Sequence, residues 1–340
     1  MTAEWAVEWV PQVGQQSILQ AAAAGRGDAW AFGISVQGAD RFGTLVFRRR
    51  DQGWRRLAAP SIGRVNRAIV ISDADVWAVG DGESLHWDGL RWHQIRTAVP
   101  AGLSSQLFGL ARSGDDGIWA AGYASGPAAA GGQGTVQRWD GRAWTAMALP
   151  DVAGEWGLAG ISAVADDDVW AVGRAPGRAI ALHWDGRDWD QVPVPIPEGR
   201  AVELRDVIAV AGDDVVAGGW RVPAGNGWTR EPIAIRWNGT AWSPAVIPDG
   251  QLATVSQLVQ GNGRLWGIGS GRDDTGYVVR SSGLTWEPVP GPRLPGGRLT
   301  LHSAAVLPGG QLLVVGATSA SSDSILPFAA VLSEAGERSG

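Results

Sequence analysis

Residues 168–195, DVWAVGRAPGRAIALHWDGRDWDQVPVP, decide the fold because they hold three short β-type segments separated by turns. Residues 168–173 are apolar and β-prone, and we expect the strand to end at the glycine. A second apolar run, 179–184, precedes Asp185-Gly186, a pair typical of tight hairpin turns. Trp189 lies in a third segment, which ends in prolines. This order predicts a small antiparallel sheet.

The same pattern recurs along the whole chain. When the copies are aligned on the glycine after the second strand, the successive spacings are 47, 42, 51, 46, 50 and 47 residues. Seven copies with a period near 47 predict a solenoid or a propeller. Four short strands per copy, each copy with aromatic signatures, favour the propeller. The aligned glycines are Gly33, Gly80, Gly122, Gly173, Gly219, Gly269 and Gly316.

The predicted fold is therefore all-β, a seven-bladed β-propeller of four-stranded antiparallel blades. We name the strands of each blade a to d, from the centre outward. Helical periodicity is scarce, which agrees with this class. The blades are expected at residues 17–60, 64–99, 106–150, 157–197, 203–248, 254–290 and 299–333, with 334–340 as a flexible tail.

The last unit lacks a strand d of its own. The N-terminal Glu8-Trp9-Val10-Pro11 resembles Thr285-Trp286-Glu287-Pro288, which is the strand d of the preceding unit. We therefore expect residues 5–12 to complete blade seven, which is numbered 299–333 plus 5–12. Ring closure of this kind protects sheet edges that an open array would expose.

The repeat resembles the kelch repeat, with 302–306 (HSAAV) and 312–316 (LLVVG) as the most similar stretch. The resemblance covers nearly the whole chain and implies a kelch-like propeller similar to the central domain of galactose oxidase. Kelch units usually end strand b in a double glycine, and only Gly218-Gly219 does so in this chain. Copper-radical chemistry of the galactose oxidase type needs a Tyr–Cys crosslink, and this chain has no cysteine.

Composition narrows the classes of partner. The net charge is −6, and the arginines are scattered apart from a cluster at 48–56, so we expect no nucleic-acid partner. Without cysteine there is no disulfide framework or thiolate metal site. No apolar run reaches the length of about 18 residues needed to span a membrane, and the N-terminus lacks the features of a secretory signal. A cytoplasmic monomer without membrane contact is expected.

The repeated aromatic and acidic residues have two interpretations. Tryptophans in strands b, c and d either fill the widening gap between blades or form equivalent sugar sites, and packing is favoured. His86 and His183 share one position before a strand-c tryptophan, so the same argument applies to them. Carboxylates at the a–b turns, in clusters at 73–75, 115–116, 166–168 and 213–214, are expected to bind backbone N–H groups. No metal or cofactor is predicted.

Three tryptophans stand outside the repeat. Trp156 precedes blade four, and Trp220 and Trp228 are assigned to the long b–c loop of blade five. In a propeller these connections open onto one face, where exposed aromatic side chains would form a binding surface. Alternatively, the loops fold back and bury their own tryptophans. Further long b–c loops, at 35–42, 123–134, 270–276 and 317–327, make this face uneven, as in a shaped pocket or a partner platform.

The same face receives the start of each strand a. Many of the residues thirteen and fourteen positions before the aligned glycines are polar and unlike one another, whereas a purely structural strand would repeat them. Dissimilar polar groups that converge on a central funnel are typical of a ligand site, although a wet channel would also tolerate them. The candidates are Gln20, Asn66, Arg67, Arg205, Asp206, Ser256 and His302.

Two functions follow from these candidates. The first is a binding protein that recognises a small molecule, peptide, glycan or protein on the loop-rich face and in the funnel. The alternative is an enzyme, a hydrolase, lyase or cyclase, in which His302 and Asp206 act as acid and base. In it Arg67 and Arg205 would hold a carboxylate or phosphate. The sequence contains no nucleophile motif or phosphate-binding loop.

Overall fold

In a computed structural model, the residues that the structure describes form 28 β-strands in seven four-stranded antiparallel sheets. The prediction of an all-β, seven-bladed propeller is confirmed. Among the residues that the structure describes, no helix is long and apolar enough to cross a membrane. The described residues are 3–36, 42–51, 53–99, 102–114, 117–126, 132–225, 229–247, 253–271, 275–292, 294, 298–321 and 324–334.

The first four blades each use four consecutive strands, with hairpin pairing from the innermost strand a to the outermost strand d. Blade one contains β2 (Gln16–Ala24), β3 (Ala29–Val36), β4 (Phe42–Arg50) and β5 (Gly53–Leu57). Blade two contains β6 (Val65–Ser72), β7 (Asp75–Gly80), β8 (Glu83–Trp87) and β9 (Trp92–Arg96). Blade three contains β10 (Ser104–Ser113), β11 (Gly117–Ser125), β12 (Gln133–Trp139) and β13 (Trp144–Ala146). Blade four contains β14 (Gly157–Ala165), β15 (Asp168–Ala175), β16 (Arg178–Trp184) and β17 (Trp189–Gln191).

The remaining blades follow the same order until the ring closes, where the seventh sheet takes its outer strand from the N-terminus. Blade five contains β18 (Ala201–Ala211), β19 (Asp214–Val222), β20 (Glu231–Trp237) and β21 (Trp242–Pro244). Blade six contains β22 (Gln257–Gly261), β23 (Arg264–Ser270), β24 (Gly276–Ser282) and β25 (Thr285–Val289). Blade seven contains β26 (Arg298–Val306), β27 (Leu312–Ser321), β28 (Ser324–Glu334) and β1 (Ala3–Glu8).

The N-terminal strand closes the ring, but in a different register from the one that the sequence predicted. β1 ends at Glu8, and Trp5 pairs with Leu332 at the place where other blades put the strand-d tryptophan. The Trp5 Nε1 donates to the Pro290 carbonyl oxygen at 2.6 Å, whereas the Trp9 side chain is 77% exposed. Closure by the N-terminal segment is therefore confirmed, but the strand spans Ala3–Glu8 rather than 5–12, and its tryptophan is Trp5 rather than Trp9. The expected tail at 334–340 lies outside the described residues apart from Glu334, the last residue of β28.

The repeat tryptophans form the contacts between blades. Trp170 of strand b lies 5.2 Å from Trp237 and 5.3 Å from Trp242 of the next blade, measured between ring centroids. Trp30, Trp77 and Trp119 insert in the same way between the strand-c and strand-d tryptophans of blades two, three and four. The strand-b rings are fully buried, which excludes them as surface sugar sites. The packing interpretation is correct for these rings.

Acidic residues at the start of strand b hold a polar layer against these rings. His183 stacks on Trp170 at 4.4 Å, and its Nε2 lies 2.9 Å from the Asp168 Oδ1. His86 makes the same contacts with Trp77 and Asp75. The repeated histidines are therefore part of the packing. The expected acidic pair at 115–116 lies outside the described residues.

Candidate functional site

A β-bulge distorts strand a of blades one to five and of blade seven. In blade four, Leu158 pairs with Gly173 and Gly160 pairs with Val172, so Ala159 is the extra residue. A bulge bends its strand and re-aims side chains, and bulges are common beside functional sites. The bulge position therefore differs from the rest of the inner strand in what its side chain can contact.

The repeated glycine allows this bulge to form. A Cβ atom at Gly173 would lie 2.0 Å from the Gly157 carbonyl oxygen, and at the other six aligned glycines 1.7 to 1.9 Å from the equivalent oxygen. Only glycine admits so close a backbone approach. Strand b continues beyond the glycine in most blades, for example to Ala175 in β15, so the expectation that the glycine ends the strand was wrong.

The bulge residues of all seven blades line one cavity of about 340 Å³ at the start of the inner strands. We call it the funnel cavity. Blade six keeps the ring complete, because the Thr254 carbonyl oxygen faces Gly269 and thus places Ser256 at the bulge position. The seven residues are Gln20, Asn66, Phe108, Ala159, Arg205, Ser256 and His302.

The structure brings together all seven polar candidates of the sequence, since Arg67 and Asp206 also line the funnel cavity. The bulge residue lies thirteen positions before the aligned glycine in blades one and six, and fourteen before it in the other blades. That difference is why the bulge residues fell into two columns of the alignment. Alignment on the bulge separates the ring residues from those that follow them.

Arg67 and Asp206 form an ion pair across the ring, from blade two to blade five. Asp206 is 1% exposed, and its Oδ1 also accepts a hydrogen bond from the Val207 N–H at 3.0 Å. Its Oδ2 accepts one from the Leu258 N–H of blade six at 2.8 Å. Both carboxylate oxygens are therefore occupied within the fold.

His302 is held apart from that carboxylate. Within the described ranges, no hydrogen bond or ion pair joins His302 to Asp206. Burial lowers the pKa of His302 below its usual value, and the positive charge of Arg64 acts in the same direction. A hydrogen bond to the Leu19 backbone opposes this shift without reversing it. At neutral pH the imidazole is uncharged.

The arginines of the funnel cavity differ in how they are balanced. The Arg205 Nη1 lies 2.9 Å from the Glu203 Oε1, and Arg67 is balanced by Asp206. Arg64 lines the same cavity and has no hydrogen bond or ion pair to another residue in the described part of the chain. Among the described residues, the funnel cavity therefore carries one positive charge without a counter-charge, that of Arg64.

The three candidate tryptophans outside the funnel lie in different environments. Trp156 is 5% exposed, its Nε1 donates to the Gln133 Oε1 at 2.7 Å, and its ring occupies the space beside Gly134. Trp220 lies in β19 rather than in a loop, with the Arg230 guanidinium 4.5 Å from its ring centroid. The assignment of Trp220 to the b–c loop was wrong because strand b runs on past Gly219. Trp228 lies outside the described residues, as do parts of the long b–c loops.

A second cavity, of about 280 Å³, opens beside the funnel between blades three, four and five. We call it the side cavity. Phe108, Ala159 and Arg205 line both cavities, and Tyr123, Trp156 and Arg174 line the side cavity alone. Sequence reasoning missed Arg64, Phe108 and Tyr123 as site residues. The bulge column would have revealed Phe108, the one large aromatic residue in it.

Most of the residues that line the opposite end of the channel are apolar, although Arg67 and Arg112 also line it. A cavity of about 350 Å³ there is lined by the later residues of the inner strands, including Ala22, Val70 and Ile161. Arg67 lines both this cavity and the funnel cavity. The Arg67–Asp206 pair thus lies where the polar and apolar parts of the channel meet.

The fold and its central cavities define the class of protein, a seven-bladed β-propeller. No protein-family model matches the chain, and no curated protein matches it. Among solved structures it is similar to the RRP9 WD40 repeats, at 10% identity and a TM-score of 0.65, with 96% of each chain covered.

Two further solved structures are also similar to the chain. A fucose-specific lectin from Aleuria aurantia matches at 15% identity and a TM-score of 0.52, over 81% of this chain and 95% of the lectin. The extracellular domain of a B. thetaiotaomicron protein matches at 12% identity and a TM-score of 0.60, over 96% of this chain. The chain spans 39% of that longer protein. At these identities the similarity shows the propeller fold alone.

Proposed function

We propose that this protein is a ligand-binding propeller whose funnel cavity holds an anionic group, a carboxylate or a phosphate. The observation that carries the proposal is the charge of Arg64, which no described residue balances, in a cavity where five of the seven bulge residues are polar. Hydrogen bonds between a guanidinium and an oxyanion are stronger than neutral ones, and a concave protein wall strengthens them further. The other two arginines are already balanced, so the cavity matches one negative charge.

The neutral side chains of the ring add selectivity. Asn66 donates to the Leu107 carbonyl oxygen at 2.9 Å, which fixes its amide in place. The buried Gln20 Oε1 has no hydrogen-bond partner among the described residues. Buried acceptors are nearly always paired in native proteins, which supports a site that a donor completes. An anionic ligand with a neighbouring N–H or O–H group fits this set.

Binding is favoured over the enzymatic alternative by the geometry of Asp206. The carboxylate accepts hydrogen bonds from Arg67 and from two backbone N–H groups. A general base needs a free oxygen within reach of the proton that it removes. For Asp206 to act as a base with His302, at least one of these hydrogen bonds would have to break. Ligand binding requires no such change.

The anionic group belongs to a small molecule or to a segment of a larger partner. The proposal covers glycans, peptides and proteins that carry such a group. One of the similar propellers is a fucose-specific lectin, so the fold does carry ligand recognition. The kelch-like relationship, the cytoplasmic location and the monomeric state remain predictions.

Isothermal titration with acetate, succinate, inorganic phosphate and neutral glucose tests the proposal. We expect at least one anion to bind the wild type and glucose to bind more weakly. Arg64→Ala should weaken that binding by about tenfold, because it removes the unbalanced charge. Arg187→Ala is the matched control, because Arg187 is exposed in a c–d turn on the opposite face. Equal anion affinity in the wild type and Arg64→Ala would overturn the proposal.

A further inference from the structure

We propose that the side cavity is a subsite for an aromatic ring, so that the ligand is a carboxylate attached to an aromatic side chain. This inference rests on the proposed anion site in the funnel cavity and names the class of molecule that reaches it. Its basis is the pair of aromatic side chains at the junction of the two cavities.

Phe108 and Tyr123 form the aromatic wall. Their ring centroids are 5.9 Å apart, and their planes are 18° from parallel. The Tyr123 hydroxyl donates a hydrogen bond to the Gln106 Oε1 at 2.9 Å, which anchors the tyrosine ring to strand a of the same blade. Aromatic rings bind other rings in offset-stacked or edge-to-face arrangements, and two fixed rings supply such surfaces.

The rest of the side cavity is already shaped. Trp156 is buried and closes one wall, and the lack of a side chain at Gly134 leaves room for its ring. A Cβ atom at Gly157 would lie 3.1 Å from the Tyr123 Cβ, so a glycine there lets the tyrosine approach. A preformed apolar wall reduces the ordering cost of binding.

The side cavity is also lined by arginine side chains that can contact an aromatic ring. Arg174 and Arg205 both line it, and Arg205 is fixed by its ion pair with Glu203. A guanidinium over an aromatic face is attracted by the negative face of the ring. Two acidic residues, Glu155 and Glu203, also line the side cavity, so its charged side chains sum to zero.

Continuity between the cavities links the ring to the carboxylate. Phe108 and Arg205 line both, and Arg64 and Arg67 lie in the funnel cavity that they share. A ligand with its ring against Phe108 therefore has its carboxylate at the arginine-lined funnel. Either a free N-acyl aromatic amino acid or the C-terminal aromatic residue of a peptide provides this chemistry.

Titration calorimetry with four probes distinguishes these sources. The small probes are N-acetyl-phenylalanine and N-acetyl-alanine, and the peptides are one pentapeptide ending in phenylalanine with either a free or an amidated C-terminus. We expect the aromatic probe to bind about tenfold more tightly than the alanine probe. Amidation should abolish peptide binding. Binding of N-acetyl-phenylalanine supports a small-molecule ligand, and binding of the free-acid peptide alone supports a partner's C-terminus.

Variants separate the ring subsite from the anion site. Phe108→Leu keeps an apolar side chain but removes the aromatic face, and it should reduce the aromatic preference to about twofold while N-acetyl-alanine binds as before. Tyr123→Ala, with its melting temperature measured, gives a second test of the same wall. Phe42→Ala is the control, because Phe42 is an exposed phenylalanine in blade one.

Two results would overturn this inference without touching the proposed function. One is equal affinity for the aromatic and alanine probes in a wild type that binds anions through Arg64. The other is an aromatic preference that survives both Phe108→Leu and Tyr123→Ala. A wild type that binds none of the anions would instead contradict the anion site itself.

Discussion

Arg67 on blade two and Asp206 on blade five form an ion pair that crosses the central channel. Asp206 also accepts the Leu258 N–H of blade six, so one buried carboxylate connects three blades of the ring. Blades otherwise contact mainly their neighbours, as in Trp170 against Trp242. The pair therefore couples parts of the ring that strand pairing and blade packing do not join.

We expect Asp206→Asn to lower the free energy of unfolding by about 3 kcal/mol, because it leaves Arg67 without its counter-charge and disturbs two backbone hydrogen bonds. Chemical denaturation of Asp206→Asn, Arg67→Met and the double variant measures the coupling, which should exceed about 1 kcal/mol. Asp188→Asn, at an exposed c–d turn, is the control. Additive effects of the two single changes would show that the pair does not act as a unit.

The bulge of strand a should require the aligned glycine of strand b. Gly173→Ala places a methyl group 2.0 Å from the Gly157 carbonyl oxygen, and backbone must move to relieve it. We expect a loss of about 3 kcal/mol or more in unfolding free energy. Gly53→Ala, where the nearest atom is 3.5 Å away, should change stability by less than about 1 kcal/mol. Similar melting temperatures for the two variants would contradict the role assigned to the aligned glycines.

Closure of the ring can be tested at two neighbouring tryptophans. Trp5→Ala should lower the unfolding free energy by about 2 kcal/mol, because the ring packs at the seventh blade and bonds to Pro290. Trp9→Ala should change it by less than about 0.5 kcal/mol, since its side chain is largely in solvent. Thermal unfolding of both variants gives the comparison. A larger effect at Trp9 would restore the register that the sequence motif predicted.

Burial of His302 predicts a pH dependence of stability. Its pKa in the folded protein is lowered from 6.5, so the unfolded chain binds a proton more readily than the folded one. The contribution of His302 to stability should therefore fall as the pH drops below about 6.5. Denaturation of the wild type and His302→Gln between pH 7.5 and 5.5 tests this. The wild type should lose more stability on acidification, and parallel pH profiles would contradict the prediction.

Most of the fold was predictable because it depends on repetition. The spacing of the aligned glycines and the tryptophans around Gly173 gave the number of blades and the number of strands in each. The register of the closing strand was harder, since Trp9 matches the strand-d motif but Trp5 is the residue that pairs with Leu332. Local sequence does not carry that long-range information.

The site was predictable in position but not in detail. The seven polar candidates converge as expected because each breaks the repeat at the start of a strand a. The side cavity was not foreseen, since Phe108 is apolar and gave no sign of a site, and since the Trp156 ring occupies space that any side chain at position 134 would block. The partners of Asp206 come from blades two and six, far apart in sequence.

The pairing of a bulge with a glycine separates two tasks within one short repeat. Tryptophans on strands b to d hold the blades together, while the bulge side chains, from Gln20 to His302, face the funnel and take almost no part in that packing. Seven positions can therefore be exchanged in combination on an unchanged scaffold. A library of variants randomised at these seven positions alone would yield new binding specificities on the same propeller scaffold.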